Sequence, residues 1–307
     1  MPTWKELLAE IQAVKPPAGA HDVVRRKYLR RLHKLTGRNV IAYYSGWLQK
    51  PELQRQGFAG FELNDSDKNG FMAAINKLDR SKGLDLLLHT PGGTSAATES
   101  LVHYLRAMFG NNIRAVIPQI AMSAGTMVAL ACKEILMGKH SSLGPIDPQI
   151  GGLPAHGIIE EFERAAKEIS DDPSKIPVWQ PIIANYSPTL IGECERAIEW
   201  SEEMVKEWLL TGMFSGEKDA KRKVTGVLEG LSYALTKSHA RHISMERAKE
   251  LGLKVLFLEE NDELQDAVLT VHHACVQTLM DTAALKIIEN HLGAAFIQVI
   301  RQAVVQR

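Results

Sequence analysis

Only three cysteines, Cys132, Cys194 and Cys275, stand in the 307 residues. An odd number at wide spacing excludes a disulfide framework and a paired-cysteine zinc pattern, and fits a reducing compartment. Neither charge is in surplus: 36 Lys and Arg face 36 Asp and Glu. Nucleic-acid binders normally carry a basic excess, so the balance argues against that class; it also removes one defence against self-association. No stretch reaches the roughly 20 apolar residues that span a bilayer. Even residues 294–305 are interrupted by Gln298, Arg301 and Gln302. The Lys- and Arg-rich start lacks the apolar segment of a secretory leader, and the basic stretch 25–34 reads as a solvated helix face. Internal repeats and low-complexity segments are missing too. These absences lead us to expect a cytoplasmic protein with no nucleic-acid partner and no stable membrane insertion.

What is present is an ordinary globular composition, 45% hydrophobic and 23% charged, on a chain long enough for one large domain or two smaller ones. Residues 1–13 and 22–35 read as charged helices separated by Pro16 and Pro17, with Asp22 a candidate N-cap. Short apolar runs at 39–44, 84–88, 113–118 and 134–137 read as buried strands. Between them, 70–80, 94–109 and 123–132 carry helical spacing. Strands alternating with helices at this pitch predict βαβ units and a mainly parallel sheet. Further on, 158–169, 190–210, 216–228 and 244–251 read as helices, the proline-interrupted 173–188 as irregular, and 255–258 as a last strand. From Leu264 the tail reads as nearly all helical, with Gly293 a break and an apolar stripe through Val268, Val271, Val276, Leu279, Leu285, Ile287 and Ile288.

Two strand-to-helix junctions carry the chemistry. At His89-Thr90-Pro91-Gly92-Gly93-Thr94, two glycines follow a buried strand; the backbone turns sharply and exposes N–H groups suited to a developing oxyanion. At Met122-Ser123-Ala124-Gly125-Thr126, a serine stands at a helix start among residues small enough to admit a substrate. Either junction alone reads as a plain turn or an N-cap.

Taken together with their surroundings, FELNDSDKNGFMAAI (61–75), LLLHTPGG (86–93), MSAGTMVALACKEILMGKHSSLGPIDPQ (122–149), MERAKELGL (245–253) and ALKIIENH (284–291), the chain resembles the ClpP/crotonase superfamily of serine peptidases. Within it, the chain is most similar to the serine dehydrogenase proteinase family. The resemblance spans residues 39–291. It implies an α/β, ClpP/crotonase-like fold with a mainly parallel core at 39–258, a helical insertion at about 158–230, a helical N-terminal extension at 1–38 and a helical tail at 259–307 that makes oligomer contacts. It also implies a homo-oligomer, trimer or hexamer, acting on peptide or protein substrates. No Gly-x-Gly-x-x-Gly run is present, so there is no sequence case for a dinucleotide; neither a cofactor nor a metal is expected.

By the same resemblance Ser123 is the nucleophile, the N–H groups of Gly93 and Ala124 form the oxyanion hole, and Gly92 shapes the turn. The base is open. The family's Ser, Asp, His triad differs in chain order from Clp protease. Asp147 falls where Clp protease carries its histidine, and His239 where it carries its aspartate. A direct exchange of the two sets a carboxylate rather than an imidazole beside the serine. His242 is a second candidate. A Ser-Lys dyad through Lys167 is the alternative, and it requires a buried lysine. Asp65-Ser66-Asp67-Lys68-Asn69-Gly70 opens like a calcium loop, but its twelfth position is Asn76, so Asp65 or Asp67 reads as a helix cap. His272 and His273, adjacent on a helix, do not converge on one metal, and His140 reads as a turn residue. The reading is a serine peptidase working through a Ser123 acyl-enzyme. Its rivals are a crotonase-type enzyme of acyl thioesters and an inactive scaffold on the same fold.

Overall fold

A computed structural model describes residues 3–16, 18–235 and 241–300. Its centre is a seven-stranded sheet built from β1 (Asn39–Ser45), β2 (Leu84–His89), β3 (Ile113–Ile117), β4 (Glu134–Met137), β5 (Val255–Phe257), β6 (Ala284–Asn290) and β7 (Ala295–Val299), in the order β5-β4-β3-β2-β1-β6-β7. The first five strands in that order run parallel; β6 is antiparallel to β1, and β7 to β6. Parallel strands covered on both faces read as unbroken apolar runs, which is why β1 to β4 are visible in the sequence.

Side chains alternate between the two faces with period two. Ile41, Tyr43, Leu86, Leu88, Ala115, Ile117, Ile135 and Met137 enter one core, with helices Asp67–Ile75, Ser95–Phe109, Ala124–Leu130, Leu190–Thr211 and Ala220–Leu235. Val40, Ala42, Tyr44, Leu87, Val116 and Leu136 enter the other, under helices Trp4–Ala13, Ala20–Thr36 and Asp262–Asp281. The first helix starts where Thr3 and Glu6 form a capping box. Asp22 is no cap: the second helix begins at Ala20, and Asp22 binds Arg25 instead.

The tail departs from the expectation that it is nearly all helical. After Asp262–Asp281 the chain forms the β6–β7 hairpin, turned through Gly293, and β6 sits inside the sheet. All seven apolar residues of the tail stripe are buried within the single chain. Lys286 and Glu289 give β6 a helix-like polar spacing in sequence, yet both are fully buried, on Asp67 and Arg25 respectively. Residues 173–188 also differ. They hold a short turn of helix, Pro173–Lys175, and the helix Ile176–Ile183. Pro177 lies in its first turn, where an N–H is unpartnered anyway, and Trp179 packs inward with Nε1 donating to Glu168.

A small three-stranded sheet, Ile120–Ala121, Ser142–Leu143 and Ile243–Ser244, lies at the carboxyl ends of the parallel strands. Ala121 also bridges Thr90. The loops that follow β2, β3 and β4 are thereby held side by side, at the end of an open α/β sheet where ligands bind. Among the described residues no helix is long and apolar enough to cross a membrane.

Candidate active site

Strand β2 ends at His89, and the chain turns through Pro91-Gly92-Gly93 into a helix capped by Thr94, whose Oγ1 accepts the Ala97 N–H. Thr90 Oγ1 accepts the Gly92 N–H at 3.2 Å. Gly92 has φ +110° and lies against Ser123; a Cβ there would sit 2.7 Å from Ser123 Cβ and 3.2 Å from its Oγ. Gly93 is held backbone to backbone against Leu63. The Leu63 N–H donates to Gly92 O at 2.7 Å and the Thr94 N–H to Leu63 O at 3.1 Å. This pattern leaves the Gly93 N–H out of the ladder. A Cβ on Gly93 would meet Leu63 N at 2.5 Å and its carbonyl oxygen closer still, so only glycine permits the approach.

Ser123 immediately precedes the Ala124–Leu130 helix with φ 48° and ψ −115°. Such a backbone is strained for a side-chain-bearing residue, at a cost of about 1–3 kcal/mol, and residues held this way cluster at functional sites. Its side chain does not cap the helix, so the plain N-cap alternative does not describe it. Thr126, which sequence reasoning passed over, ties the junction to the next loop. Its Oγ1 lies 2.9 Å from Ala121 O and accepts the Gly144 N–H at 2.9 Å.

Ser123, Gly92, Gly93 and Asp147 line one cleft of about 520 Å³, walled by Met127, Ile146 and, from the Leu190–Thr211 helix, Ala197 and Trp200. Asp147 is buried at 3% exposure. Its Oδ1 lies 2.9 Å from Nδ1 of His156, a half-buried residue that sequence reasoning missed. A carboxylate only accepts, so Nδ1 carries the proton and Nε2 is left as the basic nitrogen. The hydrogen bond to Asp147 raises the His156 pKa above 6.5; burial opposes this, and the charges of Asp147, Glu202 and Glu160 support it. The pair is joined by a tight hairpin, Gln149–Ile150 with Leu153–Pro154, across Gly151-Gly152. That glycine pair just after Asp147 was the available signal for His156.

Two other candidates, Lys167 and His242, lie elsewhere. Lys167 is exposed on the Ala155–Asp171 helix and does not line the cleft. His242 is exposed and lines a separate depression with Arg241 and Arg247. His239 lies outside the described residues. Asp67 neither caps a helix nor resembles a calcium ligand: its carboxylate is buried against Lys286 and Tyr43. Among the described residues no group of three His, Cys, Asp or Glu is arranged to hold a metal ion. Burial pushes the Cys132 and Cys275 thiols up to about 12, which keeps them inert. A slightly larger depression, about 620 Å³, opens beside Lys27, Arg30, Arg31 and Lys34, but hydroxyl, thiol and imidazole are missing from its lining.

Two relatives come from Methanocaldococcus jannaschii. Uncharacterized protein MJ1495 is 30% identical over 231 residues, which is 75% of this chain and 71% of that protein. Uncharacterized protein MJ0137 is 33% identical over 192 residues, 62% of this chain, and the match spans only 59% of that protein's length. The family model described as ClpP-like SDH-type serine proteinase matches residues 17–288, and the chain belongs to that family.

Proposed function

We propose that the protein is a serine peptidase built on a ClpP/crotonase-like core, with Ser123 as nucleophile and the pair His156–Asp147 as its base and orienting carboxylate. Ser123 Oγ attacks a peptide carbonyl while His156 Nε2 takes the hydroxyl proton. The N–H groups of Gly93 and Ala124 receive the oxyanion. The intermediate collapses to an acyl-enzyme as His156 returns the proton to the leaving amine, and water repeats the sequence to release the acid. The observation that carries this reading is the strained Ser123, its side chain not capping the helix, against Gly92 in the cleft that Asp147 also lines. The His156–Asp147 bond supports it by leaving an imidazole Nε2, rather than a carboxylate, as the basic atom next to Asp147, although His156 itself is not among the residues that line the cleft. His239 and Lys167 remain rivals for that role. Lys167 is the weaker, since a lysine base needs burial that an exposed helix face does not supply.

The test is labelling by a fluorophosphonate probe together with turnover of an unstructured protein substrate. The wild type is expected to be labelled and to cleave, and Ser123→Ala to do neither. Equal labelling of both proteins sinks the nucleophile assignment. A silent probe combined with binding of an acyl thioester favours the crotonase-type reading instead.

A further inference from the structure

The segment Phe61–Asn64 stands between the glycine turn and the β1–β6 pair where Ser45 meets Lys286, and its backbone is fastened on both sides. Toward the turn, Leu63 makes the two bonds to Gly92 and Thr94 described above. Toward the sheet, Phe61 O accepts from Ser45 Oγ at 2.8 Å, and the Asn64 N–H donates to Asp67 Oδ2 at 3.1 Å. Between these two, Glu62 O accepts from Lys286 Nζ at 2.5 Å. The same ammonium lies 3.1 and 2.9 Å from the two oxygens of Asp67, which also accepts the Tyr43 hydroxyl at 2.9 Å. Lys286 and Asp67 are 0% and 1% exposed.

A strand interior flanked by Leu285 and Ile287 has no packing need for an ammonium. A buried ion pair is weak evidence for stability when an apolar side chain of similar volume fits the site. What Lys286 supplies that an apolar residue does not is a fixed donor for the Glu62 carbonyl and a partner for the carboxylate that holds Asn64. We infer that Lys286 is a positioning residue for the Gly93 N–H, acting through the Glu62–Asn64 segment; this rests on the peptidase reading above. A glycine turn has little stiffness of its own, so the direction of its N–H depends on the segment it leans on. A displacement there of a fraction of an ångström weakens an oxyanion bond whose worth lies in preorganisation.

The experiment compares wild type with Lys286→Met/Asp67→Asn, a double variant that leaves neither partner as an unpaired buried charge. Ser45→Ala, which cuts only the Phe61 strut, is the milder second variant. Amide hydrogen exchange is followed at Leu63 and Thr94 against the remaining strands. Fluorophosphonate labelling rate, KM for a peptide substrate and affinity for a peptide aldehyde, which forms a tetrahedral adduct, are measured in parallel. The double variant is expected to exchange Leu63 and Thr94 at least tenfold faster with other strands unchanged. It should label about ten- to a hundredfold more slowly and lose aldehyde affinity by a similar factor, with KM within about twofold. Ser45→Ala should shift the same readouts severalfold. Unchanged protection at Leu63 and Thr94 overturns the inference, and so does lost protection with labelling at the wild-type rate. If the wild type is not labelled, the peptidase reading fails by itself, and the exchange measurement alone decides whether Lys286 sets this turn.

Discussion

His156 and Asp147 make an acid–base argument that can be checked by pH alone. A histidine base works neutral, and the hydrogen bond to Asp147 lifts the His156 pKa above 6.5. The acid limb of kcat/KM should therefore have its midpoint above pH 6.5. In Asp147→Asn the largest raising cause disappears and burial acts against what remains, so the midpoint should move to lower pH while the rate falls. His156→Ala should lose about 10²–10⁴-fold in kcat. A pH profile of Asp147→Asn superimposable on that of the wild type would remove His156 from the mechanism. At this scale the sequence was half legible. Gly92, Gly93 and Ser123 announce themselves because a sharp turn and a close approach demand glycine or a small neighbour, and each demand leaves a local mark. His156 is marked only indirectly, by the Gly151-Gly152 turn of the hairpin that brings it to Asp147; an Ala-His-Gly-Ile string at a helix start has no spacing that singles it out.

Elements show the same division between local and distant causes. β1 to β4 are contiguous apolar runs and fall within a residue or two of where periodicity sets them. β6 falls in a tail that reads as nearly all helical; Lys286 and Glu289 interrupt its apolar run, and only side chains far away in sequence explain their burial. Glu289 is held by Arg25 Nε at 2.5 Å and Arg26 Nε at 2.6 Å, both from the Ala20–Thr36 helix. Arg25 also donates to Thr278 Oγ1 at 3.0 Å and to Asp22 at 2.7 Å. One fully buried guanidinium thus joins two helices and a strand on the second face of the sheet. Breaking such a pair from one side leaves a charge without compensation, which costs about 3–5 kcal/mol. Glu289→Gln should lower the unfolding free energy by that amount, read as a lower urea midpoint at unchanged denaturant dependence. A change below about 0.5 kcal/mol, the scatter of ordinary surface substitutions, would show that the pair is not what docks the N-terminal helices.

Over the whole molecule, histidines buried in the neutral form tie stability to pH. Burial pushes His89 down to about 3, His291 to about 4 and His272 well below 6.5. His89 stands among Tyr44, Trp47 and His272, and His291 stacks on His33. These pKa values are depressed on folding, so the unfolded chain binds more protons than the native one below pH 6.5. The stability they carry is fully present above 6.5 and is lost as pH falls toward each native value, at up to about 1.4 kcal/mol per pH unit for each group. His156 has the opposite sign. Its pKa is raised, so it adds stability below 6.5 and loses it as pH rises, which offsets part of the three-histidine term. Acidification from about pH 7 to about pH 5 should therefore cost about 2 kcal/mol per buried histidine before that offset. Urea unfolding at the two pH values measures it. His89→Phe keeps an aromatic ring between Tyr44 and Trp47 and removes one titrating group, so its stability should fall less steeply with acid, by about 1.4 kcal/mol per pH unit. If wild type and His89→Phe lose stability in parallel, the acid sensitivity of this fold does not come from the imidazole at the end of β2, and burial of His89 in its neutral form does not tie stability to pH.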